Sequence, residues 1–137
     1  MRRIKCRGYA NGRKQRQYIR KEDASAPTVS TDALMLSCIM DAWEERDVAI
    51  VDIPSAFLHA DMDEEVNMRI DGKMAELLSK VNPKKYQRFL EEKDGKAIVY
   101  VCLKKALYGT LKEALLFWEH LSDNLVNRRG FELNPYD

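Results

Sequence analysis

Cysteine is scarce and scattered. Cys6, Cys38 and Cys102 are the only three, an odd number at wide spacing, which gives no basis for a disulfide framework or a cysteine-based zinc site and fits a reducing interior compartment. Histidine is scarcer, with only His59 and His120; the two stand apart and take no role. No apolar run approaches the roughly 18 residues that a membrane span needs. The basic start, Arg2, Arg3, Lys5 and Arg7, is not followed by the apolar segment of a secretory leader. At 137 residues without a repeat, the chain is expected to be a single soluble domain with no membrane partner, intracellular and cytoplasmic.

Acid is also missing from one end. No Asp or Glu precedes Glu22, while nine of the 23 Lys and Arg residues do, so the first 21 residues carry +9 and the remainder −8 behind a net charge of +1. A basic arm ahead of an acidic body points to polyanion contact, and a solvated tail has the same composition.

The body mixes helical and strand patterns. Ser30 or Thr31 can cap a helix with Met35, Cys38, Ile39, Ala42 and Trp43 at helical spacing, ending in Glu44-Glu45-Arg46-Asp47. Val66, Met68 and Ile70 alternate with polar residues as a half-buried strand does. Met74 to Ser79 and Pro83 to Leu90 read as short helices, and Asp94-Gly95 is a turn leading into a strand over Ala97 to Leu103. Thr110 and Glu113 have capping-box spacing, opening a helix with Leu111, Ala114, Leu115, Trp118, Leu121 and Leu125 on one face, and Gly130 stops it. Trp118 reads as core. Without regular alternation of strands and helices, the fold class is α+β, with helices packed on an antiparallel sheet.

One stretch carries chemistry. Ala49, Ile50 and Val51 read as a buried β-branched strand that Pro54 ends, leaving Asp52 at its mouth. A carboxylate there needs a compensating partner, and a divalent metal is one of the few that suits an apolar site. The acidic cluster Asp61, Asp63, Glu64 and Glu65 downstream reads as solvated loop charge.

Val51-Asp52-Ile53-Pro54-Ser55-Ala56-Phe57-Leu58-His59-Ala60-Asp61 resembles motif A of reverse transcriptases, in the version of copia-type retrotransposons. Four further blocks follow the family's order: Lys5 to Gly12 resembles a fingers segment, Ser25 to Val29 the lead into the first palm helix, Asp63 to Met68 the family's Glu-Glu-Glu-Val-Tyr-Met, and Val101 to Lys112 motif B. Trp118 and Gly130-Phe131 continue it. Five ordered blocks are far more specific than any one alone.

The resemblance implies an RNA-directed DNA polymerase that joins deoxynucleoside triphosphates to a primer on an RNA or DNA template. Such phosphoryl transfer uses two divalent cations about 4 Å apart, magnesium or manganese, held by oxygen donors. By resemblance Asp52 is the catalytic, metal-binding aspartate and the Ile53 carbonyl a second ligand. Phe57 occupies the steric-gate position that rejects a ribose 2′-hydroxyl. Lys5 and Arg7 match cations that grip the triphosphate, either of them able to carry the main role. Tyr108 and Gly109 form the floor of the nucleotide pocket, where glycine admits close approach.

Departures accompany the match. The family's second carboxylate source is an Asp-Asp hairpin in motif C, and these residues reach Asn134-Pro135-Tyr136-Asp137 without such a pair. Thr110 looks inserted, Leu115 stands near a usual proline, and Pro54 replaces a frequent lysine. The expectation is therefore a partial fingers and palm domain, with residues 1–29 as basic fingers segment and 30–137 as the rest, an incomplete sheet, and no activity alone. An open strand edge at Val48 to Val51 predicts self-association. Two rival readings stay open: a catalytically dead nucleic-acid-binding remnant, and a structural or interaction protein with no nucleic-acid role.

Overall fold

The computed structural model describes residues 8–133. Helices and a three-stranded sheet are present together, as an α+β chain requires. The chain divides into two compact units, residues 62–104 and the segments 1–61 with 105–137.

Residues 62–104 hold nearly all of the sheet. β1 (Asp61–Asp71) leads through Gly72, at positive φ, into α2 (Lys73–Val81), and the Gly72 amide donates to the Ala97 carbonyl at 2.8 Å. In α3 (Pro83–Tyr86), Pro83 takes the first turn and the Asn82 side chain accepts from the Lys85 amide at 3.2 Å, a cap of the ordinary kind. β2 (Glu91–Lys93) and β3 (Lys96–Lys105) form an antiparallel hairpin with Glu91 opposite Ile98 and Lys93 opposite Lys96, giving the order β1-β3-β2. Asp94 and Gly95 both take positive φ, 54° and 69°, which matches the twist of a two-residue hairpin turn. Ile98 and Val99 are consecutive and both fully buried. Because successive strand residues face opposite sides, the central strand is covered on both faces there.

β1 begins at Asp61, so the cluster Asp61, Asp63, Glu64 and Glu65 lies in the strand rather than in a loop. Alternation is visible in sequence only from Val66 onward, since acids occupy both faces before it. β2, three polar residues long, has no apolar signal and escaped the sequence reading.

The other unit contains α1 (Thr31–Trp43) and α4 (Glu113–Asp123). Ser30 caps α1, its hydroxyl accepting from the Ala33 amide at 3.1 Å. The expected helix is therefore present, yet none of its residues is buried, and Trp43 is 88% exposed. The β-branched run after it departs further. Residues 46–53 form no strand, and Ile50 is 97% exposed. A strand needs a hydrogen-bonded neighbour, because unpaired backbone groups favour water over burial. Among the described residues all three strands lie between Asp61 and Lys105, and none pairs with Ala49 to Val51. Val48 to Val51 is consequently an exposed irregular segment, and the strand edge on which the expectation of self-association rested is not formed.

α4 also differs in detail. Its cap is Lys112, while the Thr110 hydroxyl donates to the Leu107 carbonyl at 2.9 Å, so the Thr110–Glu113 capping box does not form. Leu116 is the residue buried in α4, and Trp118 stands 36% exposed rather than in the core. Ala114 to Trp118 is apolar without a break; periodicity cannot choose a face on such a stretch, and packing does. Past α4 a wider turn, Asn124–Arg128, ends at Gly130 with φ +72°, its amide donating to Val126.

Candidate functional site

The segment from Asp52 to Ala60 is built around a sharp turn. Ser55 adopts φ 56° and ψ 37°, a left-handed conformation that costs a non-glycine residue about 1 kcal/mol or more. A single 3₁₀ turn, Ala56–His59, follows, with the Leu58 amide donating to Ser55 at 2.9 Å and the His59 ring within 3.2 Å of the Pro54 carbonyl. At its end Ala60 is buried and its carbonyl accepts from the Ala106 amide at 3.0 Å. Lys105 clasps the same place, pairing with Asp61 at 2.8 Å and donating to the His59 carbonyl at 3.3 Å.

That anchoring brings two of the sequence-derived site residues together. The Phe57 and Tyr108 rings lie 5.7 Å apart between centroids at a 32° tilt, and Phe117 of α4 meets Phe57 edge-on at 6.0 Å. Such geometries are the favourable ones for aromatic pairs. The sequence reading missed Phe117, hidden within the unbroken apolar run of α4. Phe57 is half-buried and Tyr108 exposed, so one ring is fixed in packing and the other presents a surface.

Gly109 sits behind Tyr108 at φ +93°. The chain at Ala10 to Gly12 passes so close that a side chain does not fit: a Cβ on Gly109 would collide with the Ala10 carbonyl oxygen, and one on Gly12 with the Gly109 carbonyl oxygen. Two backbone bonds seal the approach, from the Ala10 amide to Tyr108 at 2.7 Å and from the Gly12 amide to Gly109 at 2.9 Å. Gly109 is thus required for the close approach of the protein's own chain at Ala10, whereas the sequence reading expected glycine there to admit a ligand.

A cleft of about 530 Å³ opens here, lined among others by Tyr9, Arg13, Arg16, Gly109 and Glu113. A second, of about 460 Å³, shares Arg16 and Leu111 with it and adds Arg20 and Lys21. Arg20 is paired with Asp23 at 3.0 Å, whereas no ion pair engages Arg13 or Arg16 among the described residues. One oxygen of Glu113 is shielded from water and has no hydrogen-bond partner among them. Cations on a concave surface concentrate anions.

Asp52 is exposed and Ile53 half-buried. Among the described residues no hydrogen bond or ion pair engages Asp52, and no group of three His, Cys, Asp or Glu could hold a metal. The donor chemistry, one carboxylate and one carbonyl, nevertheless suits magnesium, which commonly takes one or two protein oxygens and completes its shell with water and phosphate. Lys5 and Arg7 lie outside the described residues. No helix among the described residues is long and apolar enough to cross a membrane.

A family model described as reverse transcriptase (RNA-dependent DNA polymerase) matches residues 1–137, the whole chain. Among curated proteins and solved structures nothing matches.

Proposed function

The chain belongs to the reverse transcriptase (RNA-dependent DNA polymerase) family, and from that premise we propose that residues 1–137 are the fingers and N-terminal palm of a copia-type retroelement enzyme. The observation that carries this reading is the meeting of the Phe57 and Tyr108 rings, residues of two separate motifs. Phe57, held by Phe117, would stand against the sugar of an incoming deoxynucleotide and leave no room for a 2′-hydroxyl. Tyr108 and Gly109 would form the floor under that nucleotide. Arg13 and Arg16, with Lys5 and Arg7 earlier in the arm, would neutralise phosphate charge on nucleotide or template-primer.

Asp52 and the Ile53 carbonyl are the residues that would hold magnesium. Bound there, the ion would supply Lewis-acid neutralisation of developing negative charge. The 137 residues contain no adjacent pair of aspartates, so two-metal chemistry calls for carboxylates from another segment, and residues 1–137 alone bind substrates without extending a primer.

Primer extension tests this reading. Residues 1–137 with template-primer, deoxynucleotides and magnesium should give none. One polypeptide that adds a segment bearing an Asp-Asp hairpin should extend, and Asp52→Ala should abolish that. Extension by residues 1–137 alone, lost on Asp52→Ala, would show that no further carboxylates are needed. Extension by the longer polypeptide that survives Asp52→Ala would remove Asp52 from the site.

A second reading rests on the two clefts that share Arg16. They favour a nucleic-acid-binding protein whose contact does not depend on Asp52. Template-primer affinity equal in the parent and Asp52→Ala, with no extension by the longer polypeptide, would favour it.

A further inference from the structure

The basic arm is tied to the pocket floor by a side chain as well as by backbone. Gln15 lies in the 3₁₀ turn Gly12–Gln17, and its Oε1 accepts a hydrogen bond from the Leu111 amide at 3.0 Å, in a partly buried setting. With the Ala10–Tyr108 and Gly12–Gly109 bonds, three contacts in succession link residues 10 to 15 with residues 108 to 111. The first two join main chain to main chain, between segments whose approach leaves no room for a side chain at Gly12 or Gly109. The third depends on one side chain of one length.

Its position in the local fold gives that bond leverage. Leu111 lies between the Gly109 turn and Lys112, the cap of α4. Its amide falls outside the helix ladder, so Gln15 supplies the acceptor it would otherwise lack. The turn Gln15 closes is itself well held, since its own carbonyl accepts from the amides of Tyr18 and Ile19, both at 2.9 Å. On the other side, the Thr110 hydroxyl folds back to the Leu107 carbonyl. The Tyr108–Thr110 turn is therefore pinned from both directions, and Tyr108 keeps its ring against Phe57.

We infer that Gln15 is a positioning residue: it holds the Gly109 turn in its left-handed form, keeps Tyr108 beside Phe57, and couples Arg13 and Arg16 to the pocket floor. The coupling of that floor to nucleotide rests on the proposed polymerase reading; the positioning itself does not. Gln15→Met keeps the length and removes the acceptor, whereas Gln15→Glu keeps both.

Amide hydrogen exchange on the intact chain reads the clamp directly. In Gln15→Met, exchange at Leu111 should speed about fivefold to tenfold, as expected for loss of one side-chain hydrogen bond, with smaller increases at Ala10 and Gly12. Nuclear Overhauser contacts between the Phe57 and Tyr108 rings should weaken. Leu116 in α4 should keep its exchange rate, and Gln15→Glu should restore Leu111 and the ring contacts. Binding of dATP with magnesium should weaken several-fold in Gln15→Met. Unchanged Leu111 exchange in Gln15→Met, or equal acceleration at Leu111 and Leu116, would overturn the inference. If the exchange and ring contacts follow the variants while the parent binds no dATP, the positioning stands and the nucleotide reading fails.

Discussion

Gly109 and Ala10, from opposite ends of the sequence, lie so close that the Ala10 carbonyl oxygen fills the space a Gly109 side chain would need. The contact joins the basic arm to the turn that carries Tyr108, and it makes glycine obligatory there twice over, by φ and by space.

Gly109→Ala should therefore destabilise the chain by about 2 kcal/mol or more, combining left-handed strain with a clash against backbone that cannot rotate away. Gly95, also at positive φ, has open space around its Cβ position, so Gly95→Ala should cost only about 1 kcal/mol. Urea unfolding midpoints of the two variants provide the comparison. Equal losses would mean the close approach at Ala10 is not maintained in solution.

Ser55 is the strained residue of the Asp52 to Ala60 segment. Asparagine tolerates the left-handed region and a β-branched residue does not, so Ser55→Asn should be within about 0.5 kcal/mol of the parent. Ser55→Val should lose about 1–2 kcal/mol and loosen the Phe57–Tyr108 pair. Thermal melts with ring-proton spectra would check both, and a harmless Ser55→Val would show that the turn is not left-handed.

α1 and α4 make opposite predictions for the same substitution. Leu116 is nearly buried, and Leu116→Ala should cost about 2–4 kcal/mol through lost burial and a cavity. Leu34 in α1 is half exposed, and Leu34→Ala should cost less than about 1 kcal/mol. A large loss at Leu34, measured by chemical unfolding, would show that the α1 face is covered in solution.

The arm should bind single-stranded RNA or DNA weakly, with little sequence preference and strong dependence on salt. Replacing Arg13 and Arg16 together by Gln should flatten the log–log salt slope by about 1.4, since each phosphate contact to a single strand contributes about 0.7. Deleting residues 1–21 should remove most of the affinity. Undiminished binding after that deletion would move the contact surface elsewhere.

Much of this protein was legible from local signals alone. The α1 cap at Ser30, the Asp94-Gly95 turn and the stop at Gly130 depend on interactions within a few residues, where side-chain chemistry dictates the backbone directly. Ordered motifs identified the family, because polymerase chemistry demands particular residue types in a particular order, and the family model spans the same residues. Burial was decided elsewhere. The β-branched run Ala49 to Val51 satisfies every local rule for a strand, yet it lies exposed because no neighbouring strand among the described residues pairs with it. In α4 the choice of Leu116 over Trp118 depended on what packs beside the helix, which a uniformly apolar stretch does not encode. The contacts among Ala10, Gln15, Gly109 and Leu111 likewise arise only when distant segments close on each other, since the hydrogen bonds that define them join residues far apart in sequence, 96 positions for Gln15 and Leu111.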